Sequence, residues 1–110
     1  MNGLLYKLEI FVPESHFDPV CQALWSADAG HIGRYDHCLS WSKVNSCWRS
    51  LEGTNPFHGE IGQTIWAEEY KIEVCCTGEQ LSTVLQAVKE AHPYEEPVIC
   101  VLPMADSGLR

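Results

Sequence analysis

Positive charge is scarce in this sequence. Seven Lys and Arg stand against fifteen Asp and Glu in 110 residues, a formal net charge of −8. The cations are scattered and form no basic run, which argues against nucleic acid as a partner, because backbone recognition needs clustered Lys and Arg. Long apolar runs are missing as well. Nothing approaches the ~18 residues of a membrane span, so no membrane partner is expected. The opening residues Met1-Asn2-Gly3-Leu4-Leu5-Tyr6-Lys7 lack a charged stretch followed by a long apolar one, so no secretory leader is legible. The phosphate-cradling patterns G-x-x-x-x-G-K-[ST] and G-x-G-x-x-G are both absent. The cations nearest the glycines, Arg34, Lys43 and Arg49, are thin support for a polyphosphate. Paired C-x₂₋₄-C spacing, the mark of structural zinc, is missing too. No nucleophile stands beside an evident base, so a small hydrolase is the least favoured function.

Several things are present. Six cysteines occur, and without a leader they read as reduced thiols in a cytoplasmic protein rather than three disulfides. Cys75 and Cys76, adjacent on a strand, point apart; Cys21 and Cys100 lie on apolar faces and act as small hydrophobes. Apolar residues make up 45% of the chain, enough for one globular domain over residues 1–110. Residues 5–12 alternate, with Tyr6, Leu8, Ile10 and Val12 on one side and Lys7 and Glu9 on the other, a half-buried strand. Phe17, Val20, Cys21, Leu24 and Ala27 recur at helical spacing within 15–29. Asp18 as cap with Pro19 at the first helical position is preferred to a Ser15–Asp18 capping box, and Gly30 ends the helix. Residues 35–42 and 47–49 read as the arms of a hairpin turning through Ser42–Ser46. The glycine-bearing stretch 50–64 is longer than a mere connector needs to be. Residues 66–76 alternate again. Thr77 and Gln80 form a capping box ahead of the stripe Leu81, Val84, Leu85, Val88 and Ala91, and His92-Pro93 ends that helix. Residues 98–102 are continuously apolar and read as a central strand buried on both faces. The order β-α-β-β-α-β predicts an α+β, ferredoxin-like sandwich: an antiparallel sheet with two helices on one face. Trp41, Trp48 and Trp66 on or beside the middle strands suggest that the other face associates.

Three segments carry a resemblance: AGHIGRYDHCLSW (29–41), LEGTNPFHGEIG (51–62) and AHPYEEP (91–97). Together they resemble the domain inserted in YqfO-type, NGG-interacting-factor-like proteins, which also occurs free-standing. More distantly they resemble CutA-like and PII-like proteins. The first two segments are the specific ones, and the likeness runs from about residue 5 to 103. It implies a ferredoxin-like fold and trimer-prone association through sheet edges, with a dimer next. The flanking domain of the long relatives binds two metal ions. It has no counterpart in these residues, so its ligands and any hydrolase activity are not carried over. Where relatives tend to have a short glycine-containing turn and then an Arg-Pro pair, this sequence has Asn45-Ser46 and Arg49-Ser50.

The candidate site residues gather in three places. His37, with His31 nearby in a glycine-flanked loop, is either a hydrogen-bonded strand residue or a ligand contact. His58 and Glu60 bracket Gly59; in an extended segment that spacing turns imidazole and carboxylate to one side, which suits a divalent zinc or copper ion. A solvated loop is the plainer alternative. His92, Tyr94 and Glu95 lie in a turn stiffened by Pro93 and Pro97, either as a rigid crossover or as the wall of a ligand cleft between subunits. The expected function is a non-catalytic oligomeric binding or regulatory module holding a divalent metal or small ligand at inter-subunit clefts. CutA-like divalent-metal tolerance is the alternative.

Overall fold

The computed structural model describes residues 4–108. Strand β1 (Leu5–Val12) leads through a 3₁₀ turn (Glu14–His16) into helix α1 (Phe17–Ser26). Strands β2 (Ser40–Arg49) and β3 (Thr64–Thr77), helix α2 (Leu81–Ala91) and strand β4 (Ile99–Met104) follow. The sheet order is β2-β3-β1-β4, antiparallel throughout. This is the ferredoxin-like β-α-β-β-α-β order that the alternating and helical periods predict.

The core lies where β1 and β3 meet the helices. Leu8, Ile10 and Val12 of β1 are fully buried, and their cross-strand partners on β3 are Val74, Ile72 and Tyr70. Val20, Cys21 and Leu24 of α1 and Val84 and Val88 of α2 close over them. Each such aliphatic side chain contributes roughly 1.5–3 kcal/mol by leaving water. Burial raises the Cys21 thiol to about 11, so it stays protonated and packs as a hydrophobe. On the opposite face of the sheet, Lys7 bridges Glu73 and Glu9, and Lys71 reaches Glu9 at 3.6 Å. These exposed pairs keep the centre of that face polar.

Four local expectations need correction. Residues Ser40–Arg49 form one unbroken strand that pairs with β3 from Ser40↔Glu73 to Arg49↔Thr64, so Ser42–Ser46 is no turn. Ladder hydrogen bonds to β3 outweigh the turn propensity of Ser and Asn there, and the true β2–β3 connection is 50–63. The apolar run at 98–102 belongs to an edge strand, not a central one; Val98 is 54% exposed and Leu102 40%. Continuous hydrophobicity is also what an edge covered by a partner would show. Helix α1 has His16, not Asp18, at its N-cap position, with no side-chain cap, and Pro19 is its third residue; the missing N–H still falls among the unpaired donors of the first turn. That helix ends at Ser26, and left-handed Asp28 (φ 63°) and Gly30 (φ 77°) turn the chain beyond it.

The Thr77–Gln80 box forms as the sequence predicts. Thr77 N–H donates to Gln80 Oε1 at 2.9 Å, and Gln80 N–H donates to Thr77 Oγ1 at 3.2 Å. Gln80 Nε2 also donates to the Asp28 carbonyl at 3.1 Å, tying α2 to the end of α1. Thr77→Ala is therefore expected to cost about 1 kcal/mol in urea denaturation. An unchanged midpoint would show that the turn holds without the box.

Candidate functional site

β1 ends at Val12, opposite Tyr70, while β3 continues back to Thr64 paired with β2. The two longer strands thus extend past β1 as an arm, and the connection 50–63 folds back from it. Backbone geometry sets this return. Gly62 N–H donates to the Ser50 carbonyl at 2.8 Å, and Thr54 Oγ1 donates to the Leu51 carbonyl at 2.7 Å. One bond locks the arm to the 92–98 crossover: Asn55 N–H donates to Glu95 Oε1 at 2.8 Å. Phe57 meets the His16 ring edge-on at 5.7 Å.

The crossover is equally constrained. His92 is 7% exposed and ends α2 in an extended conformation (φ −85°, ψ 136°). Its Nε2 lies 2.6 Å from the Phe11 carbonyl, and its Nδ1 lies 3.2 Å from Tyr94 N–H. Only the neutral tautomer with the proton on Nε2 satisfies both contacts: Nε2–H donates and Nδ1 accepts. Burial accordingly holds the His92 pKa below the ordinary histidine value, partly offset by the Phe11 carbonyl. Tyr94 OH donates to Glu69 Oε2 at 2.8 Å. Burial first, and that carboxylate second, push the phenol well above its usual range. Both groups are therefore neutral near pH 7.

A pH effect follows. The unfolded chain takes up the His92 proton near pH 6.5, and the folded protein only below that. Stability is then level above about pH 6.5 and falls as pH drops through the window below it. His31, held by Asp28 at 2.9 Å, has its pKa raised and so acts with the opposite sign: its contribution is present below pH 6.5 and lost as pH rises. It is exposed and screened, so the His92 effect dominates. The melting temperature should decline from pH 7 to pH 5.5. The decline should be shallower in His92→Gln, which keeps a donor for the Phe11 carbonyl but cannot titrate. Parallel curves for the two proteins would contradict the assignment.

Between arm and crossover lies a cavity of about 540 Å³, on the end of the sheet face that the helices leave open. Its walls include Phe11, Trp48, Phe57, His58, Glu69 and Tyr94. The rings form a continuous group. Trp48 and Tyr94 are 5.5 Å apart between centroids, Phe57 and Tyr94 5.9 Å, and Phe57 and His58 4.6 Å. Such separations are those of tilted and edge-to-face aromatic packing. Glu69 is only 6% exposed, accepts one hydrogen bond, from Tyr94, and pairs with no Lys or Arg among the described residues.

Of the six residues singled out from sequence, His58, Tyr94 and Glu95 line this cavity, and His92 braces it from behind. His92 spends both ring nitrogens on the backbone, so it positions Tyr94 rather than offering a free ligand atom. Glu60 sits on the exposed arm and does not line the cavity. His37 is elsewhere. It stacks on Trp25 at 4.2 Å with the planes 4° apart, near the connection that bonds Cys75 through Gly30. From Glu69 to Cys75 along β3 is about 20 Å at the rise of a strand. No group of three or more His, Cys, Asp or Glu is arranged to hold a metal among the described residues.

Glu69 and Phe57 escape the sequence reading, and Trp48 enters it only as a mark of association. Glu69 shares its strand face with Lys71 and Glu73, so alternation assigns it to solvent. It is Tyr94, from the distant 92–98 crossover, that reaches it, and no short-range signal announces that contact.

Comparison with known proteins places this geometry among relatives. A protein of Halalkalibacterium halodurans described as a GTP cyclohydrolase 1 type 2 homolog is 46% identical over 104 residues, 94% of this chain and 28% of that protein. The solved structure of a Bacillus cereus protein related to NIF3 superposes with a TM-score of 0.82 at 35% identity, covering 94% of this chain and 26% of the other. The periplasmic divalent cation tolerance protein CutA of Archaeoglobus fulgidus superposes at 0.69 with 20% identity, covering 94% and 86%, which shows a shared fold. No family model matches the chain. The chain spans less than a third of the length of the curated relatives it matches.

Proposed function

Because nearly all of this chain is homologous to one segment of the YqfO/NIF3-type proteins, we propose that it is a non-catalytic binding module. The cavity between the arm and the 92–98 crossover takes a small molecule. The carrying observation is that two segments far apart in sequence are bonded together, Asn55 to Glu95, around an aromatic-walled space. Its volume lies within the range of ordinary small-ligand sites. The buried, protonated thiol of Cys21 and the neutral, hydrogen-bonded His92 support a structural rather than chemical use of these groups. Six free cysteines suit a reducing cytoplasm. Among the described residues no helix is long and apolar enough to cross a membrane.

Self-association is part of the same reading. Trp66 is 77% exposed and Trp41 55%, and the β4 edge presents Val101 and Leu102. Exposed apolar side chains at both ends of the sheet favour contact with further copies, a trimer first and a dimer next. A zinc or copper site at His58 and Glu60 is the weaker reading, since they recruit no third ligand within the described chain.

Ligand-observed NMR against a fragment set tests the cavity. Binders should lose their signal with Trp48→Leu and keep it with Trp66→Leu, which lies outside the cavity walls. A fragment set with no binders to the intact protein sinks the small-molecule reading. Light scattering tests assembly; a monomer at micromolar concentration removes the inter-subunit part.

A further inference from the structure

We propose that the cavity recognises a ligand carrying an alkylated or quaternary ammonium group, with Trp48, Phe57 and Tyr94 as an aromatic cage and Glu69 as the counter-charge behind it. This deepens the small-molecule reading above and rests on it.

Two independent features point to a cation. The first is the rings. Trp48, Phe57 and Tyr94 wall one space, with Tyr94 5.5 Å from Trp48 and 5.9 Å from Phe57 between centroids. Aromatic faces carry negative quadrupoles, and several around one volume attract a diffuse positive charge. The second is Glu69. A carboxylate that is 6% exposed is costly to keep unless its charge is met. Here Oε2 accepts the Tyr94 hydroxyl at 2.8 Å, while Oε1 takes no hydrogen bond among the described residues and opens onto the cavity instead of being sealed from it. The same carboxylate lines the cavity. Tyr94 joins the two features, since it lines the same space as the other rings while its hydroxyl holds the carboxylate.

The surroundings agree in sign. Glu95 and Glu96 also line the cavity, against the single cation Arg49, and the net charge of −8 draws cations toward the molecule. A strongly hydrated metal ion suits this site poorly, because ring faces offer no lone pairs to replace its water. An ammonium wrapped in methyl or methylene groups gives up little hydration and fills the apolar wall.

Choline and its neutral carbon isostere 3,3-dimethylbutan-1-ol provide the test, with affinities measured by NMR titration on the full chain. Choline should bind at least about tenfold tighter than the isostere. Glu69→Gln should erase most of that preference. Trp48→Leu, which retains apolar bulk, should reduce it several-fold while leaving the far-ultraviolet dichroism unchanged. Either variant suffices if the other fails to fold. Equal binding of the two probes overturns the ammonium proposal and leaves an apolar ligand site standing. So does absence of choline binding while fragments still occupy the cavity. If neither the probes nor any fragment binds, the small-molecule reading itself falls.

Discussion

Gly30→Ala is expected to destabilise the protein by about 3–5 kcal/mol, a large part of the roughly 5–15 kcal/mol available to a domain of this kind. Two costs combine. Gly30 has φ +77°, and an alanine there pays about 1–2 kcal/mol for the left-handed conformation. Its Cβ would also lie 2.3 Å from the Cys38 carbonyl oxygen. That oxygen is backbone and cannot swing aside as a side chain would. Nor can Gly30 move, because its N–H donates to the Cys75 carbonyl at 2.9 Å and its own carbonyl accepts Cys38 N–H at 3.0 Å. Relief would require parting the 27–38 connection from the end of β3. Gly33→Ala is the control. Its φ is +60° and its Cβ meets nothing within 4 Å, so about 1 kcal/mol is expected. Urea denaturation of both variants decides the matter: equal losses would mean that the close approach to Cys38 is not a constraint.

Tyr94→Phe is expected to cost about 1.5–3 kcal/mol, the range for removing a hydrogen bond to a charged group. The ring and its packing survive, so the loss reports the hydroxyl alone. It leaves Glu69 buried with no donor among the described residues. Replacing both partners should be milder than the sum of the parts. Tyr94→Phe combined with Glu69→Leu removes the unmet carboxylate along with its donor, and most of the stability should return. Additive losses in this double-mutant cycle would show that the hydroxyl and carboxylate act independently, and the account of Glu69 as a charge held in place by Tyr94 would fail.

The arm raises a related point about assembly. β2 and β3 project past β1, and β4 lies at the sheet edge with apolar side chains outward. An edge of this composition is an aggregation hazard unless covered.

Local chemistry accounts for much of what could be foreseen. The period-2 runs at 5–12 and 70–76 bury the expected faces, and the Leu81–Ala91 stripe does the same at helical period. The Thr77–Gln80 box forms with both of its bonds. In each case the deciding partners lie within a few residues, or on a face whose period is written in the chain. The errors share the opposite property. Ser42–Ser46 is strand because β3 pairs with it, and 98–102 is an edge because β1, not β4, occupies the centre of the sheet.

The sequence by itself determined both helices, the strands at 5–12 and 70–76 and the order of the ferredoxin-like fold, because alternation and helical stripes are short-range consequences of side-chain size and polarity. It also marked two polar segments, 51–62 and 91–97, as out of keeping with their apolar neighbours. Tertiary structure alone decided that these segments meet, that Asn55 bonds Glu95, and that Glu69 is largely withdrawn from bulk water onto the wall of the cavity. Such contacts depend on how far β2 and β3 outrun β1 and on which way the connection between them folds. Those are properties of the assembled sheet, and no residue records them in its immediate neighbourhood.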